Sequence, residues 1–221
     1  VDNDDNNNNN NDDDHNDDRC SCAFYTIDCF GMRGAATIDF GKRDFEYRPE
    51  VGKKLLDPTP IRDYVPLEEM VRVPLGLATN RFHKTRPPPT WIMYRALMDH
   101  NATTGTWLGD HPPDGTNNNS NNDSDNNNNN DSDSDRATVT KFLANEGVAL
   151  TEHELDDLIQ AGTAQVPPVC AVLGGMVGNE VIKVISGKGE PANNTLLLDG
   201  AACKAWTFLV KQQQQQQRQQ Q

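Results

Sequence analysis

The sequence predicts an α/β fold, and more narrowly the distal half of an α/β domain. Three observations lead to this prediction. The longest apolar run, residues 167–186, has helical spacing, and residues 195–198 after it are typical of a short buried strand. Segments 23–47 contain short strand-like runs separated by glycine turns. Only the final helix–strand pair resembles the repeated units of a parallel sheet, so the opening strands of such a sheet are missing.

The amino-terminal segments predict a β-meander. Residues 23–29 and 35–40 are strand-like and are joined by a glycine-bounded turn at 30–34, and a third short strand is predicted at 45–47. Eight prolines between residues 49 and 90 disfavour long helices there.

Three helices are predicted before the apolar run. Residues 90–100 have an amphipathic pattern, and residues 136–146 form a second helical segment. Thr151 followed three residues later by Glu154 is a capping-box pattern, and Gly162 ends that helix.

The apolar run predicts a central helix that is mostly buried. Pro167 and Pro168 suit a first helical turn, and Gly187 is a typical stop. Gly174 and Gly178 are four residues apart, so they share a helix face on which another element can approach closely. With Gly175 they form GGxxG inside a helix, whereas a dinucleotide loop needs GxGxxG after a strand. Close packing is therefore favoured over phosphate binding.

Low-complexity tracts divide the chain. An Asn/Asp-rich tract at 1–19, an Asn/Ser/Asp-rich insert at 114–135 and a polyglutamine tail at 211–221 cannot bury apolar surface, so we expect them to be disordered. One domain, residues 20–210, remains. The net charge of −13 comes largely from these tracts, and without clustered Lys and Arg we expect no nucleic-acid partner.

The cysteine, aspartate and histidine residues form no recognisable catalytic or metal-binding motif. Cys170 lies at an apolar helix start, which favours an inert thiol over a nucleophile. Asp28, Asp39 and Asp199 lie at or near strand ends, where capping or turn formation is expected. The histidines are scattered, and no metal-ligand spacing occurs. The sequence predicts no catalytic, cofactor-binding or metal residue. It also predicts no membrane partner, because no apolar run of about 18 residues is free of charge. Five cysteines without a regular framework indicate a reducing compartment.

Several motifs together resemble the ubiquitin-like-protein activating enzymes. They are PVCAVLGG at 168–175, NEVIK at 179–183, SGKG at 186–189 and NNTLLLDG at 193–200, with the strand–turn–strand pattern of residues 24–47. The resemblance is to the regulatory, non-cysteine subunit of the heterodimeric SUMO-activating class, because the thioester cysteine motif and the CxxC zinc pairs of the catalytic subunits are absent from the sequence.

The resemblance implies an incomplete Rossmann-like adenylation (ThiF-type) fold, of which this chain is the carboxy-terminal part. It implies a catalytic partner subunit that binds ATP and Mg²⁺, adenylates SUMO and accepts it as a thioester. This chain would bind no cofactor, would contact SUMO only indirectly and would be inactive alone. Gly174, Gly175, Gly178 and Val181 are the candidate packing or interface residues. A nuclear location, with cytoplasm as the other compartment, is implied in the same way.

Two alternatives stay open on the sequence. The first is a non-enzymatic interaction module on a degenerate adenylation fold, with the Asn and Gln tracts mediating weak association. The second is an independent nucleotide-binding enzyme of the sulfur-carrier adenylating group, which ATP binding by the isolated chain would support.

Overall fold

The computed structural model describes residues 22–41, 44–52, 54–78, 86–109 and 127–210. Within these ranges there are eight strands and five α-helices. Their order is β1 (Phe24–Phe30), β2 (Arg33–Asp39), β3 (Glu46–Tyr47), β4 (Glu50–Val51), β5 (Lys54–Leu55), β6 (Thr59–Pro60), α1 (Leu67–Arg72), α2 (Pro89–Thr104), α3 (Asn127–Asn145), α4 (Glu152–Ala161), α5 (Pro167–Ser186), β7 (Thr195–Asp199) and β8 (Lys204–Thr207).

The central sheet has four strands in the order β1-β2-β7-β8, and every neighbouring pair is antiparallel. The predicted hairpin of β1 and β2 is confirmed. The predicted meander is wrong in its third strand, because β3 pairs with β6 instead of β2. The free side of β2 is taken by β7, whose threonine and leucine residues are buried on both faces. The two-residue β3, with Glu46 exposed, cannot supply that apolar surface.

Helices cover both faces of the sheet, so the fold is mixed α/β with three layers. Ala35 and Leu197 face one side and belong to the core cluster that contains Trp91 of α2. Ala36 and Leu196 face the other side and belong to the cluster that contains Leu173 of α5. Alternate residues of β2 and β7 thus enter different cores, as the strand geometry requires.

Helix α4 begins and ends at the residues that the sequence predicts. The Thr151 side chain accepts a hydrogen bond from the Glu154 backbone N–H at 3.2 Å, and the Glu154 carboxylate accepts one from the Thr151 backbone N–H at 2.8 Å. The predicted capping box of α4 is therefore confirmed, and Gly162 ends the helix.

Helix α3 starts earlier than predicted. It begins at Asn127, so residues 127–135 of the tract predicted to be disordered are helical. A tertiary contact holds the end of this stretch: the buried Asp135 carboxylate lies 3.0 Å from Nε2 of the buried His100 on α2. The rest of that tract, like the tracts predicted at 1–19 and 211–221, lies outside the described residues.

Asp39 joins the end of β2 to α1. Its carboxylate accepts hydrogen bonds from the Leu67 N–H at 2.9 Å, from the Gly41 N–H at 2.8 Å and from the Tyr64 hydroxyl. Burial by itself would raise the pKa of Asp39, but these three donors outweigh burial and hold the pKa below its usual value.

Replacing Asp39 with asparagine should therefore lower the thermal midpoint at pH 7 and lower it less at pH 3. A depressed folded-state pKa stabilises the fold above the unfolded pKa, about 4 for aspartate, and the contribution is lost as the pH falls through the folded pKa. Circular dichroism melts of both proteins at the two pH values measure this. Asp57→Asn, at an exposed site, is the matched control, and an Asp39→Asn deficit that is equal at both pH values would contradict the prediction.

Candidate functional site on helix α5

Helix α5 has the bounds that the sequence predicts. Pro167 and Pro168 occupy its first two positions, where a missing N–H costs no hydrogen bond. Gly187 follows the last turn with a φ of 62°, a left-handed conformation that glycine adopts without a steric penalty.

Only one face of α5 is buried. Its buried residues are Val169, Leu173, Val177 and Glu180, at spacings of four, four and three residues. Val169, Leu173 and Val177 pack with apolar residues of β2 and β7. The prediction of a mostly buried helix is wrong, because the sheet covers one side of α5 and no described element covers the other.

The opposite face of α5 is exposed and mostly apolar, with Asn179 as a polar residue within it. Val172 is 51% exposed, Ile182 is 65% exposed and Ile185 is 81% exposed. We call these three residues, with Gly174, Gly175 and Gly178, the outer face of α5.

The predicted packing glycines have no packing partner among the described residues. A Cβ added at any of the three would find no heavy atom within 4 Å. Val181, the fourth candidate, is half-buried and packs against the core beneath. The structure thus separates the four candidates, placing the glycines on an open surface and Val181 at the edge of the core.

By length and composition alone, α5 could also span a membrane. This is weak evidence, because the core helix of a water-soluble domain meets the same criteria. One side of α5 packs on the sheet and carries the buried carboxylate of Glu180.

Glu180 holds α5 to the loop before β7. Its Oε2 accepts a hydrogen bond of 2.6 Å from the Ala192 backbone N–H, and its Oε1 accepts one of 2.8 Å from Nζ of Lys183. The sequence offered one signal for this role: a Glu and a Lys three residues apart in an otherwise apolar helix.

Asn194 performs a similar task next to β7. It is completely buried and has a φ of 51°. Its side-chain Nδ2 donates to the Val210 carbonyl at 2.8 Å, and its Oδ1 accepts from the Val210 N–H at 3.0 Å. Its own carbonyl accepts from the Ile38 N–H at 2.8 Å. One residue therefore connects β2, the start of β7 and the segment that follows β8.

The strand-end carboxylates have mainly structural roles. Asp199 accepts from the Ala202 N–H at 2.9 Å, which is the predicted turn role, and Asp39 caps α1. Asp28 differs from the prediction, because it lies inside β1 and accepts from the Tyr94 hydroxyl at 3.1 Å. Burial raises the pKa of Asp28.

Among the described residues, the cysteine and histidine candidates lie on different elements of the fold. Cys170 is half-buried at the start of α5, and Cys203 is exposed in a turn. His100 is buried against Asp135, whereas His153 is exposed on α4. Within the described ranges, no three His, Cys, Asp or Glu side chains are placed to share a metal ion.

Comparison with known proteins identifies similar chains. No protein-family model matches. The chain is 41% identical over 182 residues to "SUMO-activating enzyme subunit 1A" of Arabidopsis thaliana and 30% identical over 183 residues to "SUMO-activating enzyme subunit 1B-1" of the same plant; each match covers 80% of this chain and 48% of the relative. It is 22% identical over 197 residues to "SUMO-activating enzyme subunit 1" of Xenopus laevis, covering 80% and 53%. The chain thus spans about half the length of the curated relatives it matches.

Proposed function

The chain is a homologue of SUMO-activating enzyme subunit 1 over about half of that protein's length, and from this premise we propose that it is the non-catalytic subunit of a SUMO-activating heterodimer. Its partner in this proposal is the catalytic subunit, which binds ATP and Mg²⁺, adenylates SUMO and accepts it as a thioester. This chain contributes scaffold and interface, and is inactive alone. The observation that carries the proposal is 41% identity over four-fifths of the chain.

We propose a more specific fold than mixed α/β: the three layers are the distal half of a Rossmann-like adenylation fold. The placement of the family-like motifs supports this, because they form α5 and β7, which pack against each other at the centre of the described chain.

The outer face of α5 is the proposed contact with the catalytic subunit. Exposed apolar patches on a folded surface commonly mark interaction sites. Three glycines without neighbours allow a second helix to approach the α5 backbone closely, and Val172, Ile182 and Ile185 supply apolar surface around them. The occupant that fits is a partner helix with large apolar side chains, which would fill the space above the glycines.

Replacing Ile182 with glutamate should weaken the heterodimer at least about tenfold, because the interface would have to bury an unpaired charge. The test is co-expression of the full chain with an affinity-tagged catalytic subunit from Arabidopsis thaliana, followed by measurement of the amount retained. We expect the wild-type chain to co-purify and Ile182→Glu to be largely lost, with unchanged thermal stability of the chain itself.

Val51→Glu is the matched control, because Val51 on β4 is also 65% exposed. Retention of this variant separates a local effect on α5 from a general effect of added charge. Equal retention of both variants would place the contact elsewhere, while absence of wild-type co-purification would contradict the proposed subunit role and favour the interaction-module alternative.

A further inference from the structure

Two cysteines from different elements meet where α5 crosses the sheet. Cys29 is in β1, and Cys170 is the fourth residue of α5. Both are half-buried, and both are free thiols. The Cys29 thiol lies beside Gly34, underneath α5, and Cys170 is near enough to affect its ionisation. The chain thus holds two thiols together that are far apart in sequence.

A glycine explains how α5 comes so close to the strands. Gly34 is the partner of Cys29 in the β1–β2 register. A Cβ at residue 34 would lie 2.8 Å from Cδ2 of Leu173 and 3.7 Å from Sγ of Cys29. Leu173 follows Cys170 by three residues, so both lie on the same face of α5. The helix therefore rests on bare backbone here, and its Cys170 side faces the thiol of Cys29.

We propose that Cys29 and Cys170 are an oxidisable dithiol, which small disulfides such as oxidised glutathione convert to an intramolecular disulfide. In the first step the Cys170 thiolate attacks one glutathione sulfur, the glutathione S–S bond breaks, and one glutathione leaves. In the second step Cys29 attacks the Cys170 sulfur of the mixed disulfide and releases the second glutathione. Two protein thiols are oxidised, one small disulfide is reduced, and the two protein protons end on the two released glutathiones.

The order of the two steps follows from the surroundings of Cys29. Burial, together with the contact to Cys170 and the nearby carboxylate of Asp28, raises the pKa of Cys29 to about 12. Cys29 therefore keeps its proton at neutral pH and is a poor nucleophile toward a dissolved disulfide. Its own attack is aided because Cys170 is a neighbour in the fold, which makes the second step intramolecular.

Closing the bond would link α5 to β1 and restrict the unfolded chain through a long loop. We expect the oxidised protein to have a thermal midpoint about 5–10 °C higher than the reduced protein, reversed by dithiothreitol. This proposal does not depend on the proposed subunit role, because it concerns the chain alone.

The test uses the full chain with oxidised glutathione, followed by N-ethylmaleimide and mass spectrometry of unreduced peptides. We expect the Cys29–Cys170 linkage to be the main intramolecular product, while the exposed Cys22 and Cys203 carry glutathione or maleimide. The linkage and the rise in thermal midpoint should disappear in Cys170→Ser and persist in Cys203→Ser. The proposal is wrong if, after treatment with oxidised glutathione, Cys29 and Cys170 are still free to react with maleimide, carry separate glutathiones or pair with other cysteines.

Discussion

Replacing Asn194 with alanine should lower the free energy of unfolding by about 3–5 kcal/mol, the largest effect expected from a single side chain here. The change leaves the buried N–H and carbonyl of Val210 without their partners, 3.0 and 2.8 Å away in the wild type. It also forces a Cβ-bearing residue without a polar side chain to hold a φ of 51°, at a cost of about 1 kcal/mol. Urea unfolding followed by circular dichroism measures the difference.

Asn194→Gly separates the two causes. Glycine accepts the left-handed conformation freely, so this variant should recover about 1 kcal/mol relative to alanine while remaining well below the wild type. A loss of less than about 1 kcal/mol in the alanine variant would mean that the connection to Val210 contributes little to stability.

Replacing Glu180 with alanine should cost about 2–4 kcal/mol, because the Ala192 N–H, now 2.6 Å from the carboxylate, would be buried without an acceptor. Alanine also removes the acceptor of Lys183 Nζ. Because α5 loses its tie to the loop before β7, retention of the chain by the proposed catalytic subunit should fall in parallel with the stability of the chain. Urea unfolding and the co-purification assay measure the two effects.

Glu180→Gln is the informative control for this prediction. Glutamine keeps an oxygen for the Ala192 N–H but gives up the charge opposite Lys183, which is partly solvated at 31% side-chain exposure. We expect a loss of about 1 kcal/mol. Equal losses in the alanine and glutamine variants would show that the charge, and not the hydrogen bond to Ala192, holds this part of the fold.

Local signals predicted much of the fold because the physics behind them is local. The prolines and the glycine that bound α5 and the Thr151–Glu154 capping box each act within one helical turn, and the β1–β2 hairpin joins strands that are adjacent in sequence. The position of β7 beside β2 was not predictable in the same way. It joins residues about 160 positions apart, and a short apolar run carries no information about which strand edge it will meet.

The burial of α5 could not be predicted from its sequence. Apolar residues all around a helix predict burial, but they do not say which chain supplies the cover. The apolar run therefore predicted a mostly buried helix, whereas the structure leaves Val172 and Ile185 exposed. Asp135 illustrates the opposite case. Its polar tract predicted disorder, but the residue is buried within a helix, where its carboxylate contacts the distant His100.

The exposure of the outer face of α5 has a thermodynamic consequence for the proposed pair. A partner that covers this face binds only the folded chain, so by mass action it adds RT ln(1 + [partner]/Kd) to the stability of the chain, about 2.7 kcal/mol at a hundredfold excess over Kd. The melting temperature of the chain would then report the concentration of its partner. Chains made in excess over the catalytic subunit would be the least stable copies and the first to aggregate or be degraded, which would keep the two subunits in equal amounts.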